Sequence, residues 1–306
     1  MPLTVAMCST ALNFDSSRSL FFYVIHSGIS SGIRRKIETS LVKTGCANAH
    51  ILWIDAPLER VTNFRIVNKY LSALTYMKIL LPEILPSDLD KVLYLDCDIV
   101  VNADLSELWD VKFGGKAVLA VRDRIAWVGA LGGLGNYREL NISPVAKYFN
   151  SGVLYLDLAV WREKEICERI CAYVRSHRTT LRMEDQEALN AVLHDDWGEL
   201  PFKWNWQVPW RWYRNGRRKM RWVPEASAKN TIHFTTAEKP WLPGCDAEEK
   251  AYFFRYLDRT DWSGWRVPIS KEVYARFIRA IGDVRSILGD FRRKLTRQRL
   301  VDDLLP

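Results

Sequence analysis

Two textures alternate along the chain. Short, almost unbroken apolar runs occur at Leu20–His26 (LFFYVIH), Ile51–Ile54 (ILWI), Val92–Leu95 (VLYL), Ala117–Val121 and Val153–Leu156. Runs of this length read as buried strands. Between them, Ser30–Thr44, Lys69–Leu81, Val160–Ser176 and Glu184–Leu193 carry spaced apolar positions that read as helices. Ser30 or Ser31 caps the first, and Pro82 is expected to end the second. Strands separated by helical segments predict an α/β fold, with a mostly parallel sheet and helices on both faces. In such sheets ligands sit beyond the carboxyl ends of the strands. There is no internal repeat and no low-complexity segment.

The length of 306 residues suits one large domain with an appendage. The net charge of +8 is concentrated at one end: Arg276–Leu300 holds 8 basic and 2 acidic residues. The basic pI is therefore mostly a property of this end and says little about the body; the motifs described below argue against a nucleic-acid partner. In the tail, Phe277, Ile281, Val284, Leu288, Phe291 and Leu295 recur in steps of four and three, flanked by Arg276, Arg279, Arg285, Arg292, Arg293 and Arg297. That pattern predicts a basic amphipathic helix on an anionic membrane surface, interrupted at Gly282 and Gly289. The expected division is a catalytic domain over 1–245, a connecting segment over 246–270 and the tail over 271–306. Six scattered cysteines without a C-x-x-C pair suit a reducing compartment. No basic residue precedes the apolar stretch Leu3–Leu12, so it is not read as a signal peptide, and no window is long enough to span a membrane. The expected location is the cytoplasm, peripheral to the inner membrane.

The 13 tryptophans change the picture more than the charge does. Lys203–Trp222 holds five of them (Trp204, Trp206, Trp210, Trp212 and Trp222) among seven basic residues, with no Asp or Glu. Indole faces stack on sugar rings, and Arg or Lys meets phosphate, which suggests an acceptor surface for a glycan. The rival reading is a core segment with a basic rim.

The third apolar run leads directly into Asp96-Cys97-Asp98. Residues two apart on an extended chain share a face, so the two carboxylates face one cleft while Cys97 turns away. Two adjacent carboxylates suit a divalent cation, which can neutralise a leaving diphosphate. A strand ending in D-x-D also opens phosphatases of the haloacid-dehalogenase type, in which the first Asp (here Asp96) is the nucleophile. That motif normally begins its domain, whereas here two strands precede it.

Three later stretches bear on the choice: YFNSGVLYLDL at Tyr148–Leu158, EDQEALN at Glu184–Asn190 and HFTTAEKPW at His233–Trp241. In content and order, these motifs and the D-x-D resemble glycosyltransferase family 8, which includes bacterial lipopolysaccharide galactosyl- and glucosyltransferases and glycogenin. The resemblance runs from about Leu20 to Trp241. It implies a GT-A type fold and a retaining, metal-dependent hexosyltransferase that uses a UDP-sugar donor and a glycan or lipid-linked acceptor. By the same resemblance Asp96, Asp98 and His233 hold manganese, or magnesium in its place, and Lys239 lies against the donor diphosphate. Asn150 and Asp123 contact the donor sugar, and Asp185 and Gln186 lie beneath it as the catalytic pair. Lys78, Cys97, Ser151 and Thr236 complete the donor-contacting set.

The chain departs from the family in three places. Thr75-Tyr76-Met77-Lys78 has Lys where the family usually has Arg, which keeps the charge but not the bidentate fork. Thr236 stands where the family usually has Gly. The chain also starts at Met1-Pro2-Leu3, within the helix that follows the family's first strand, so the base- and ribose-binding segment has no counterpart. The expectation is that the natural protein begins upstream, the alternative being a non-catalytic glycan-binding relative.

Overall fold

A computed structural model describes residues 1–68, 71–209 and 228–278. The described residues form nine strands. In chain order the elements are α1 (Pro2–Asn13), β1 (Leu20–His26), α2 (Ser31–Val42), β2 (Ala49–Asp55), α3 (Leu81–Ile84), β3 (Lys91–Leu95), β4 (Ile99–Val101), α4 (Ser106–Trp109), β5 (Val118–Trp127), β6 (Lys147–Asp157), α5 (Leu158–Glu163), α6 (Ile166–Ser176), α7 (Glu184–Val192), β7 (Trp197–Glu199), β8 (Trp206–Gln207), β9 (Thr231–His233) and α8 (Lys250–Leu257).

The expected α/β architecture is present, with mixed strand directions. β1 and β2 pair parallel, as do β5 with β7 and β8 with β9. The long strand β6 runs antiparallel to both β3 and β5, and β4 runs antiparallel to β9. Periodicity reports burial and not direction, so the sequence overstated the parallel share. β6 is the spine of the fold, with Tyr148–Leu156 buried without a break. Burial on both faces explains why its apolar residues run together instead of alternating.

Two helices differ from expectation. Ala73–Leu80 is a 3-10 helix that runs into α3, and Pro82 sits within the first turn of α3 instead of ending a helix. Proline is tolerated there because the first-turn N–H groups have no intrahelical acceptor. Lys69 and Tyr70, the expected start of that helix, lie outside the described residues. The stretch Val160–Ser176 is broken into α5 and α6 at Glu165, whose φ of 49° is left-handed.

Helix α1 is buried from Thr4 to Ala11 on every side. It packs against β4, α2 and α8, and its polar residues are used inside. Ser9 Oγ accepts the Val101 N–H at 3.0 Å, and Asn13 Nδ2 donates to the Val101 carbonyl at 3.2 Å. Residues 246–270, read from sequence as a connector, supply α8, whose Phe253, Tyr256 and Leu257 are buried with the β4 and β9 residues Ile99 and Ile232. Residues 269–278 form a further helical stretch with Phe277 exposed. The rest of the predicted tail helix, from Arg279 onward, lies outside the described residues.

Candidate active site

Strand register brings the distant motifs together. Leu95 pairs with Val153 across β3 and β6, and the ladder continues as Asp96 N–H donates to the Gly152 carbonyl at 2.9 Å. The D-x-D turn therefore lies against Asn150-Ser151-Gly152. On its other side Ile99 pairs with His233, and Phe234 N–H donates to the Asp98 carbonyl at 3.1 Å. Helix α7 is clamped to β6 by Asn190, whose side chain accepts from Phe149 N–H at 2.8 Å and donates to the Phe149 carbonyl at 2.9 Å. That clamp carries Asp185 and Gln186 to the same place.

Gly152 has a specific role in this assembly. A Cβ there would lie 2.0 Å from His233 Cε1. Only glycine leaves room for the imidazole to lie against β6.

Ligand atoms of Asp96, Asp98 and His233 all lie within 4.8 Å of one another. His233 Nε2 is 3.2 Å from Asp98 Oδ1 and 3.6 Å from Asp96 Oδ2. Asp98 Oδ1 is buried and has no hydrogen-bond partner. Converging acceptor atoms with an orphaned oxygen repel one another unless positive charge lies among them. One imidazole and two carboxylates therefore form a donor set that fits a divalent cation of the manganese type. Burial works against ionisation of Asp98, but His233 and Lys239 outweigh it and hold the carboxyl below its ordinary range. Lys239 Nζ donates to both Asp98 Oδ2 and the Phe234 carbonyl. Cys97 between the two acids is exposed, with a free thiol.

Lys78 is 2% exposed. Its ammonium is 2.8 Å from Asp185 Oδ2, 3.2 Å from Asp96 Oδ1 and 3.1 Å from the Ser151 carbonyl. It also lies over the Tyr94 ring, 4.7 Å from the centroid. Burial disfavours its charge, yet Asp185 and Asp96 outweigh burial and raise its pKa above the ordinary lysine range. Three acceptors occupy its three donors, so Lys78 braces the two carboxylates.

Asp185 Oδ1 accepts from Thr75 Oγ1 at 2.6 Å, and Oδ2 accepts from Ser151 Oγ at 2.8 Å. Gln186 Oε1 accepts from Ser151 N–H at 3.1 Å and Asn150 Nδ2 at 3.2 Å, while its Nε2 donates to Asp123 Oδ2 at 3.3 Å. Asp123 also accepts from Asn150 Nδ2 at 2.9 Å and Ile125 N–H at 2.7 Å. Thr236 is buried, and its hydroxyl accepts the Glu238 N–H, closing the turn after β9.

Sequence reading missed Tyr94, Thr75 and Asn205. Tyr94 donates to Asp96 Oδ1 at 2.6 Å. It lies two residues before Asp96 on the strand, so period-two alternation places it on the same face. Thr75 lies three residues before Lys78, one turn away. Asn205 gives no periodic signal; it is a polar residue inside the aromatic run Trp204–Trp206. Those two tryptophans are buried, and Trp206 Nε1 donates to Glu249 at 3.1 Å, so they serve the core and are not a sugar-stacking surface. Trp210, Trp212 and Trp222 lie outside the described residues.

The model of Glycosyl transferase family 8 matches residues 1–245. General stress protein A of Bacillus subtilis (strain 168) is 28% identical over 264 residues, covering 83% of this chain and 88% of that protein. The lipopolysaccharide 1,2-glucosyltransferase of Escherichia coli (strain K12) is 25% identical over 273 residues, covering 84% of this chain and 74% of that one. The crystal structure of the galactosyltransferase LgtC in complex with donor and acceptor sugar analogues superposes with a TM-score of 0.72 at 25% identity. That match covers 87% of this chain and 93% of the other. These likenesses exclude the haloacid-dehalogenase reading of Asp96.

Proposed function

The chain belongs to glycosyl transferase family 8, and from that premise we propose that it moves galactose or glucose from a UDP-sugar to a hydroxyl of a glycan or lipid-linked acceptor. The transfer retains the anomeric configuration and serves the synthesis of cell-surface polysaccharide or lipopolysaccharide. The observation that carries this reading is the convergence of Asp96, Asp98 and His233 beside Lys239, joined through Lys78 to Asp185 and so to the Asn150–Gln186 network. Resemblance to a galactosyltransferase complexed with donor and acceptor sugar analogues supports it. So does resemblance to a lipopolysaccharide glucosyltransferase.

Asp96, Asp98 and His233 are the residues that would hold manganese. Bound there, the ion would supply electrostatic stabilisation of a departing diphosphate. Lys239 adds a second positive charge on the same side. Retention through a covalent sugar–enzyme intermediate needs a free nucleophile beneath the ring. Asp185 is a poor candidate because Thr75, Lys78 and Ser151 all donate to its carboxylate. An amide such as Gln186 is not a nucleophile of useful strength. The reading is therefore front-face attack: the acceptor oxygen bonds to the anomeric carbon as the diphosphate oxygen leaves the same face. The acceptor's proton passes to that diphosphate oxygen, and Gln186 stabilises positive charge at the anomeric carbon.

The test is incubation with a panel of nucleotide sugars and manganese, with donor hydrolysis and transfer measured. UDP-glucose or UDP-galactose should be consumed, excess chelator should stop the reaction, and proton coupling should show an α product from an α donor. Full activity in chelator, or a β product, overturns the reading. The tail from Arg276 belongs to the same proposal as a membrane contact, and Phe277, its first apolar position, is exposed. Sedimentation with anionic vesicles should exceed that with zwitterionic vesicles; equal partitioning overturns it. Among the described residues no helix is long and apolar enough to cross a membrane.

A further inference from the structure

The amide side chains around Asn150 form a chain whose direction is fixed at its ends. Asp123 is a carboxylate and accepts at Oδ2 from Asn150 Nδ2, 2.9 Å away. The amide nitrogen of Asn150 therefore faces Asp123, and its Oδ1 faces the opposite way. There the Gly152 N–H at 3.0 Å and Asn205 Nδ2 at 2.8 Å point at it. A backbone N–H only donates, so Gly152 independently sets the same direction. Asn205 thus gives its amide nitrogen to Asn150, which leaves its Oδ1 3.0 Å from His233 Nδ1. An amide oxygen only accepts, so Nδ1 carries the ring proton. When the ring gives up its other proton to bind a cation, the lone pair is therefore on Nε2, the nitrogen that faces Asp98 and Asp96.

Asn205 is fully buried, at the end of the 3-10 turn Phe202–Asn205. Burying an amide is unfavourable unless both its ends are bonded. Here each end meets a residue of the candidate site and neither meets scaffold backbone. We propose that Asn205 is a positioning residue: it holds His233 in the tautomer that presents Nε2 to a cation, and it ties that ring to Asn150. The cation ligand and the sugar-side amide then move as one unit. The hydrogen bond made by one imidazole nitrogen decides what the other can do, and such outer partners orient metal ligands. The proposal rests on the reading of Asp96, Asp98 and His233 as the cation site.

The test uses the full chain and three variants. Titration with Mn2+ alone, followed by electron paramagnetic resonance, gives the affinity. Spectra of protein labelled with 15N at histidine give the tautomer, with His233 assigned by difference from H233A. The native chain should show the proton on Nδ1. N205A should bind Mn2+ about 10- to 100-fold more weakly and lose the Nδ1–H signature. N205D keeps an acceptor for Nδ1–H but turns a second acceptor toward Asn150 Oδ1. It should hold Mn2+ within a few-fold of native affinity while the KM for the donor rises. A neutral His233 ring protonated on Nε2 alone in the native chain, or native Mn2+ affinity in folded N205A, overturns the proposal. Should N205A fail to fold, the native 15N spectrum and N205D decide the matter. H233A separates the two claims: unchanged Mn2+ affinity there removes the cation site itself, whereas loss in H233A with native affinity in N205A removes only the role of Asn205.

Discussion

Two regions of the molecule are built differently. On the β6 side, Asn150, Ser151, Asp185, Gln186 and Lys78 are all buried, and each is bonded to at least one of the others. On the β1 side the strands are apolar in sequence yet only partly covered. All five residues of β3 are half-buried, and most of β1 and β2 is half-buried or exposed. Among the described residues β1 is hydrogen-bonded only to β2, and β3 only to β6. The β1 side is held by a small cluster of Met7, Ala11, Val24, Ile37 and Leu41. Precise placement of polar groups thus coincides with the part of the sheet that is paired and buried on both faces. A buried polar network tolerates little displacement, because each lost bond exposes an unsatisfied group. An edge strand with a thin cover has no such constraint.

The largest expected effect is on turnover, and it tests whether the interlocked side is the working side. D98N and H233A should each lower transfer on the order of 10²-fold or more, with circular dichroism and melting temperature near native. Native turnover in either variant breaks the comparison. Next comes K78M, which leaves buried Asp185 and half-buried Asp96 without their shared counter-ion. Removing one partner of a buried pair costs about 3–5 kcal/mol, and denaturant unfolding should read a loss of that size. A loss below about 1 kcal/mol, as for an exposed ion pair, would show that the brace is not structural. The smallest effect sharpens the contrast directly. Leu154 on β6 is fully buried and Leu52 on β2 is 37% exposed. L154A should cost about 2–5 kcal/mol, whereas L52A should cost under about 1 kcal/mol. Equal losses would mean that the β1 side is as tightly held as β6.

Much of this arrangement was legible in the sequence. The first apolar run matches β1 at both ends, and Ile51–Ile54 and Val92–Leu95 lie inside β2 and β3. The D-x-D, N-S-G, D-Q and HFTTAEKPW segments carried the candidate residues, and the structure brings all four segments together. Strand direction was not legible, nor were the short strands β4 and β8, whose three and two residues are too few for a period to appear.

The sequence by itself determined which residue types are available to the site and where the apolar runs fall, because these follow from side-chain chemistry and local spacing. Alternation along an extended chain was the expected reason for Asp96 and Asp98 sharing a face, but the two acids lie in the turn between β3 and β4, and it is that turn that aims both at His233. Only the tertiary structure decided which residues meet. The β4–β9 register sets Ile99 opposite His233 and so brings an imidazole from more than a hundred residues away to Asp98. The β3–β6 ladder sets Asp96 opposite Gly152, where the missing Cβ makes room for that ring. The direction of each amide in the chain from Asp123 through Asn150 and Asn205 to His233 was likewise decided there. A donor and an acceptor on one amide are distinguished only by the partners that folding brings to them.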